Sequence, residues 1–181
     1  MTTRTNDPLL LAGKVATIIA QVGMAIGATA LVVAIGAALI FRGKMVAEYA
    51  QEVGDPNVVF PVFLLIGVML IGLAIVAAMF VFFGKLRAII GTVGEGDPFQ
   101  PANADRLSMM GWLVLGVQLL ILPATAMGIQ LAQFADELED VNFTVDGGFD
   151  LSAILMTIVL FILARVFRHG AAMRDDLEGT V

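Results

Sequence analysis

Residues 15–41 read VATIIAQVGMAIGATALVVAIGAALIF, bracketed by Lys14 and Arg42 and carrying no ionisable side chain. In a helix rising about 1.5 Å per residue, such a run crosses a hydrocarbon core about 30 Å thick. The apolar stretch of a cleavable signal peptide covers only about 7–15 residues. This run is much longer, so a retained membrane helix is expected.

Three further runs have the same character. One goes from Val58 to Phe83 and ends at Lys85 and Arg87, one from about Leu107 to Ile129, and one from about Leu151 to Phe167. The last is short, and it spans the core only if Arg165 snorkels to the interface. The whole chain of 181 residues is 59% hydrophobic and 14% charged, outside the range of soluble domains. Its mean hydropathy is +0.95. The expected fold is all-α: an integral membrane four-helix bundle forming a single domain, in contact with the lipid bilayer.

Lys and Arg set the expected orientation. With four spans, the N-terminus, the 84–106 loop and the tail 168–181 share one side of the membrane. That side holds Arg4, Lys14, Lys85, Arg87, Arg106, Arg165, Arg168 and Arg174, eight of the ten bases, against seven acids, a formal +1. The other side holds Arg42 and Lys44 against nine acids, a formal −7. Both termini are therefore expected in the cytoplasm, with the protein in the plasma membrane.

The helix faces carry two patterns. Ala16, Ala20, Gly23, Gly27, Ala30, Ala34 and Ala37 recur at alternating spacings of 4 and 3. Small residues let helices approach closely in lipid, and a period of 3.5 gives a left-handed crossing. Whether the partner helix lies in the same chain or in a second copy, making a homo-oligomer, is open at this point. Gln21 lies on the opposite side of this helix and needs a partner of its own. In the third run Ser108, Gly111, Gln118 and Thr125 share one face, and Pro123 frees a carbonyl one turn earlier. Gln118 should point inward, because an unsatisfied amide is costly in hydrocarbon. The stripe reads either as interhelical hydrogen bonding or as a polar path for a ligand, ion or proton. Trp112 fits an interfacial anchor near the cytoplasmic end.

The external connection 134–150, FADELEDVNFTVDGGFD, carries six carboxylates and no base. It lacks the spacing and the glycine of a calcium loop, so a solvated acidic loop is expected. Asp150 or Ser152 should cap the fourth helix. There is no cysteine, and only one histidine and one tyrosine. No triad, phosphate loop, metal box or nucleic-acid-binding face is visible. A non-enzymatic protein without cofactor, metal or direct nucleic-acid binding is expected.

Between the second and third runs stands GEGDPFQPANADRL, residues 94–107. Gly94 and Gly96 permit positive φ, Pro98 holds Asp97 extended, and Pro101 suits a first helical position. Asn103 is an alternative cap. The preceding KLRAIIGTV suits an interfacial extension of the second helix. Phe99, between two prolines, should tuck against apolar surface and fix the loop.

KLRAIIGTVGEGDPFQPANADRLSMMGW together with LARVFRHGAAMRDDLEGTV resembles the bacterial membrane family called domain of unknown function 2975. Two blocks carry the resemblance. One is a PF-x-x-x-N-x-x-R-L signature, here Pro98, Phe99, Asn103, Arg106 and Leu107. The other is a VF-R-x-G end of the fourth span, here Val166, Phe167, Arg168 and Gly170. Arg165 departs from the family pattern, where an acid or Gln is common. The resemblance implies four spans and no known activity. It also implies a cytoplasmic partner such as a small helix-turn-helix transcription regulator, because members are often encoded beside one.

Pro98, Phe99, Asn103, Arg106 and Arg168 are accordingly candidate partner-binding residues. The competing reading is that these blocks only shape the helix ends, with Arg106 or Arg168 against Asp97, Asp105 or Asp175. A small transporter or immunity-type protein using Ser108, Gln118 and Thr125 is the alternative function.

Overall fold

The computed structural model describes residues 7–54, 59–135 and 150–178. The described chain forms five helices: α1 Pro8–Ile40, α2 Arg42–Val53, α3 Val62–Gly94, α4 Pro101–Ala135 and α5 Leu151–Glu178. All but α2 are long and apolar enough to cross a membrane. The four apolar runs fall mainly in α1, α3, α4 and α5, although α1 ends at Ile40 and α3 begins only at Val62, with Val58 outside the described residues; at their other ends the helices reach past the runs. The 33 residues of α3 would extend about 50 Å, beyond the hydrocarbon core. This is a multi-pass, all-α membrane protein.

Local chemistry sets the helix ends. Asp7 Oδ1 accepts the Leu9 N–H at 3.0 Å, with Pro8 at the first position of α1. Asp150, rather than Ser152, caps α5, since its Oδ1 accepts the Ser152 N–H at 2.8 Å. The backbone barely breaks at Phe41, whose carbonyl accepts the Met45 N–H at 3.0 Å and so passes α1 into α2. Gly54, at φ +73°, terminates α2 in the left-handed region. Pro123 sits inside α4 without ending it.

The chain divides into two compact units. The first takes the described residues up to Ala25, Ala77–Val117, and those from Asp150 onward. Its core is Ile89, Leu107, Met110, Leu160 and Ala164, flanked by Phe82, Leu86 and Phe167. The second takes the described residues of Ile26–Val76 and of 118–135. Ala38, Val62 and Ile66 form its core, with Met45 and Val46 of α2 packed against them. Tyr49 of α2 is buried, meets the Phe60 ring at a tilt with centroids 5.2 Å apart, and donates its hydroxyl to the Phe134 carbonyl at 3.1 Å. That carbonyl belongs to the last turn of α4, where intrahelical partners run out.

Outside these cores, much of the large apolar surface faces outward. Large apolar side chains such as Ile19, Ile26, Val33, Phe63 and Ile162 are exposed, while Thr17, Thr92, Asn103, Gln118 and Thr157 are buried. Exposed apolar area on this scale is unsuited to water and suited to lipid. Among the described residues, no buried side-chain nitrogen or oxygen lacks a hydrogen-bond partner.

The buried face of α1 settles the partner of Gln21. Its Nε2 donates to the Phe80 carbonyl of α3 at 3.3 Å. A Cβ on Gly84 would sit 3.1 Å from the same nitrogen, so glycine makes room for the amide. The small-residue seam lies elsewhere on α1. Ala16, Gly23, Ala30 and Ala37 are exposed, and Ala20, Gly27 and Ala34 are half-buried at its border. A Cβ added at Gly23 or Gly27 would meet nothing within 4 Å.

Candidate functional site: the turn between α3 and α4

The segment with the most specific chemistry is the six-residue connection 95–100, in the first unit. Its entry is a Schellman-type helix end. Gly96 takes φ +84°, its N–H bonds the Val93 carbonyl at 3.1 Å, and the Asp97 N–H bonds Thr92 at 3.0 Å. Gly94 remains helical, so only one of the two turn glycines uses the left-handed region. Pro101 opens α4 as its first residue.

Asn103 corrects the expectation of a cap. It is 0% exposed and reaches backward rather than over the start of α4. Its Nδ2 donates to Thr92 Oγ1 at 2.7 Å and to the Pro98 carbonyl at 2.9 Å. Its Oδ1 accepts from Arg106 Nη1 at 2.7 Å. Thr92 in turn donates to the Ile89 carbonyl at 2.8 Å. One amide thus ties the end of α3, the turn and the second turn of α4 together. Thr92 gave no sequence signal, because its partner lies eleven positions away across the turn.

Phe99 docks on α5. Its ring lies 5.4 Å from that of Phe167. A Cβ on Gly170 would come within 2.7 Å of the Phe99 ring, so Gly170 is the floor on which it rests. Two ion pairs join the same elements. Arg174 binds Asp97, and Arg168 reaches Asp105 at 3.4 Å with both partners largely exposed. Of the family-block residues, then, Asn103 and Arg106 build the turn, Pro98 contributes a carbonyl, and Phe99 and Arg168 stay partly open to their surroundings.

Beside Phe99 the surface of α5 carries a groove of about 1120 Å³, lined among others by Ser108, Phe161, Arg165, Arg168 and His169. On α4, Gly111 lets the Phe161 ring approach, with 3.1 Å to an added Cβ. Phe161 also meets Trp112 edge-on at 5.4 Å, and Trp112 is 63% exposed. Ser108 lines this groove in the first unit, while Gln118 and Thr125 belong to the second. Gln118 is buried and partnered. Of the acidic connection only Asp150 and the last residues of α4 fall in the described chain; 136–149 lies outside it.

The described residues contain no group of three or more His, Asp or Glu side chains placed to hold a metal ion. Chemically, the site combines a fixed backbone turn, one aromatic rim and a cluster of cationic side chains.

A family model described as "Protein of unknown function (DUF2975)" matches residues 44–181. The match begins in α2 and leaves α1 outside it. No curated protein and no solved structure matches the chain.

Proposed function

The chain belongs to this DUF2975 family of unknown function, and we propose that it is a non-enzymatic membrane anchor for a cytoplasmic partner. Its membrane is the bacterial inner membrane, with both termini and the 95–100 turn in the cytoplasm. The distribution of Lys and Arg supports this orientation. The partner is a small protein such as a helix-turn-helix regulator, docking on the turn and the adjoining end of α5.

The observation that carries the reading is the Asn103 lock. A connection of six residues needs no buried three-way hydrogen-bond hub to reverse the chain, yet this one has it. A turn held this firmly offers Phe99, 42% exposed, and Asp105 without an ordering cost on binding. The transporter alternative has less support, since its stripe is divided between the units and Gln118 is already engaged.

Photocrosslinking in cells tests the docking. A photoreactive residue at Gln100 or at Asp105 should capture the same cytoplasmic protein, and Phe99→Ala should abolish capture from Gln100. Capture from neither position, or equal capture from Glu52 in α2, would refute docking at the turn.

A further inference from the structure

The groove on α5 changes character along its length. Phe161, Ile162 and Val166 form an apolar stretch within the membrane-crossing part of the helix. Arg165, Arg168 and His169 follow at the offsets i, i+3 and i+4, which places them on one helix face. From Phe161 to Met173 the lining covers about 18 Å of helix. Ser108 of α4 lines it as well.

The cations here differ from the two beside them on the turn and the end of α5. Arg106 is engaged by Asn103, and Arg174 is neutralised by Asp97. Arg165 forms no ion pair among the described residues. Arg168 reaches Asp105 only at 3.4 Å, with 65% and 80% of the two side chains exposed, a weak tie that leaves the guanidinium free to turn. The groove therefore presents surplus positive charge directly above an apolar wall.

We propose that this groove holds an anionic phospholipid, its phosphate between Arg165 and Arg168 and its acyl chain along Phe161 and Ile162. Guanidinium groups match phosphate oxygens in charge and in fork geometry. Basic pockets beside membrane helices at the interface suit acidic headgroups. A soluble acidic peptide matches the charge but not the wall, because Phe161 and Ile162 lie at a depth only an inserted chain reaches. This inference stands apart from the docking of a protein partner and does not need it.

Native mass spectrometry of the purified full chain in detergent, titrated with phosphatidylglycerol or with phosphatidylcholine, reads the binding directly. Phosphatidylglycerol should bind in preference. An Arg165→Ala, Arg168→Ala double variant should bind it roughly 30-fold more weakly, at about fivefold per basic side chain. Arg87→Ala removes an exposed cation outside the groove and should leave binding unchanged. Both substituted arginines are exposed, and unchanged circular dichroism checks that the helices persist. Equal affinity for the two lipids, or an equal loss in the Arg87 variant, would overturn the proposal. So would full displacement of phosphatidylglycerol by millimolar inorganic phosphate, which would reduce the site to a headgroup contact.

Discussion

Asn103 shows how one amide side chain holds three pieces of backbone in this protein. Both of its polar atoms are used and none of its surface reaches solvent. Removing it leaves Thr92 short of a partner in a buried position, and Arg106 and the Pro98 carbonyl short of one in half-buried positions. A buried loss of this kind costs about 2–4 kcal/mol. The Arg168–Asp105 pair lies at the same end but in the open, where such pairs contribute at most about 1 kcal/mol. Thermal unfolding in detergent should therefore drop markedly for Asn103→Ala and stay nearly unchanged for Asp105→Asn. Equal shifts would mean that the exposed ion pairs, not the buried amide, hold the turn.

At the scale of the helix, α1 carries two competing stripes. Ala and Gly at heptad spacing look like a packing seam, yet the chain turns the neighbouring stripe, with Thr17, Gln21 and Ala38, towards its own helices. The physical reason is the solvent. Small residues tolerate lipid, whereas an amide or hydroxyl in lipid needs an internal partner, so Gln21 fixes which side faces inward. Gly84→Leu should accordingly destabilise the protein by displacing Gln21, and Gly23→Leu should not lower the unfolding temperature of the monomer. Tolerance of leucine at Gly84 would contradict this assignment. The Ala/Gly side of α1 is left open for lipid or for a second copy of the chain.

Other elements differ in how plainly they could be read. The four apolar runs announced α1, α3, α4 and α5 because length and hydropathy suffice for a membrane helix. Pro101 marked the start of α4, and KLRAIIGTV announced that α3 runs on past its apolar stretch to Gly94, since a helix need not stop where the hydrocarbon does. The helix α2 went unread. Its twelve residues mix Arg42, Lys44, Glu48 and Glu52 with Met45, Val46 and Tyr49, which looks like an external connection until the apolar members are seen against Val62 and Ile66. At the candidate site the family-block residues stood out, but not their roles. Asn103 and Thr92 are separated by the turn, and Arg165 and His169 acquire meaning only beside Ser108 and Phe161.

For the molecule as a whole, the docking of a partner depends on which side of the membrane receives the 95–100 turn. The chain contains no cysteine, so single cysteines report one position each without background. Glu52 in α2, Glu95 in the turn and Asp176 near the end of α5 are all exposed and suited to replacement. A membrane-impermeant maleimide applied to intact bacterial spheroplasts should label Glu52→Cys at once, and label Glu95→Cys and Asp176→Cys only after lysis. Labelling of Glu95→Cys in intact spheroplasts, with Glu52→Cys protected until lysis, would place the turn outside and contradict a cytoplasmic docking surface.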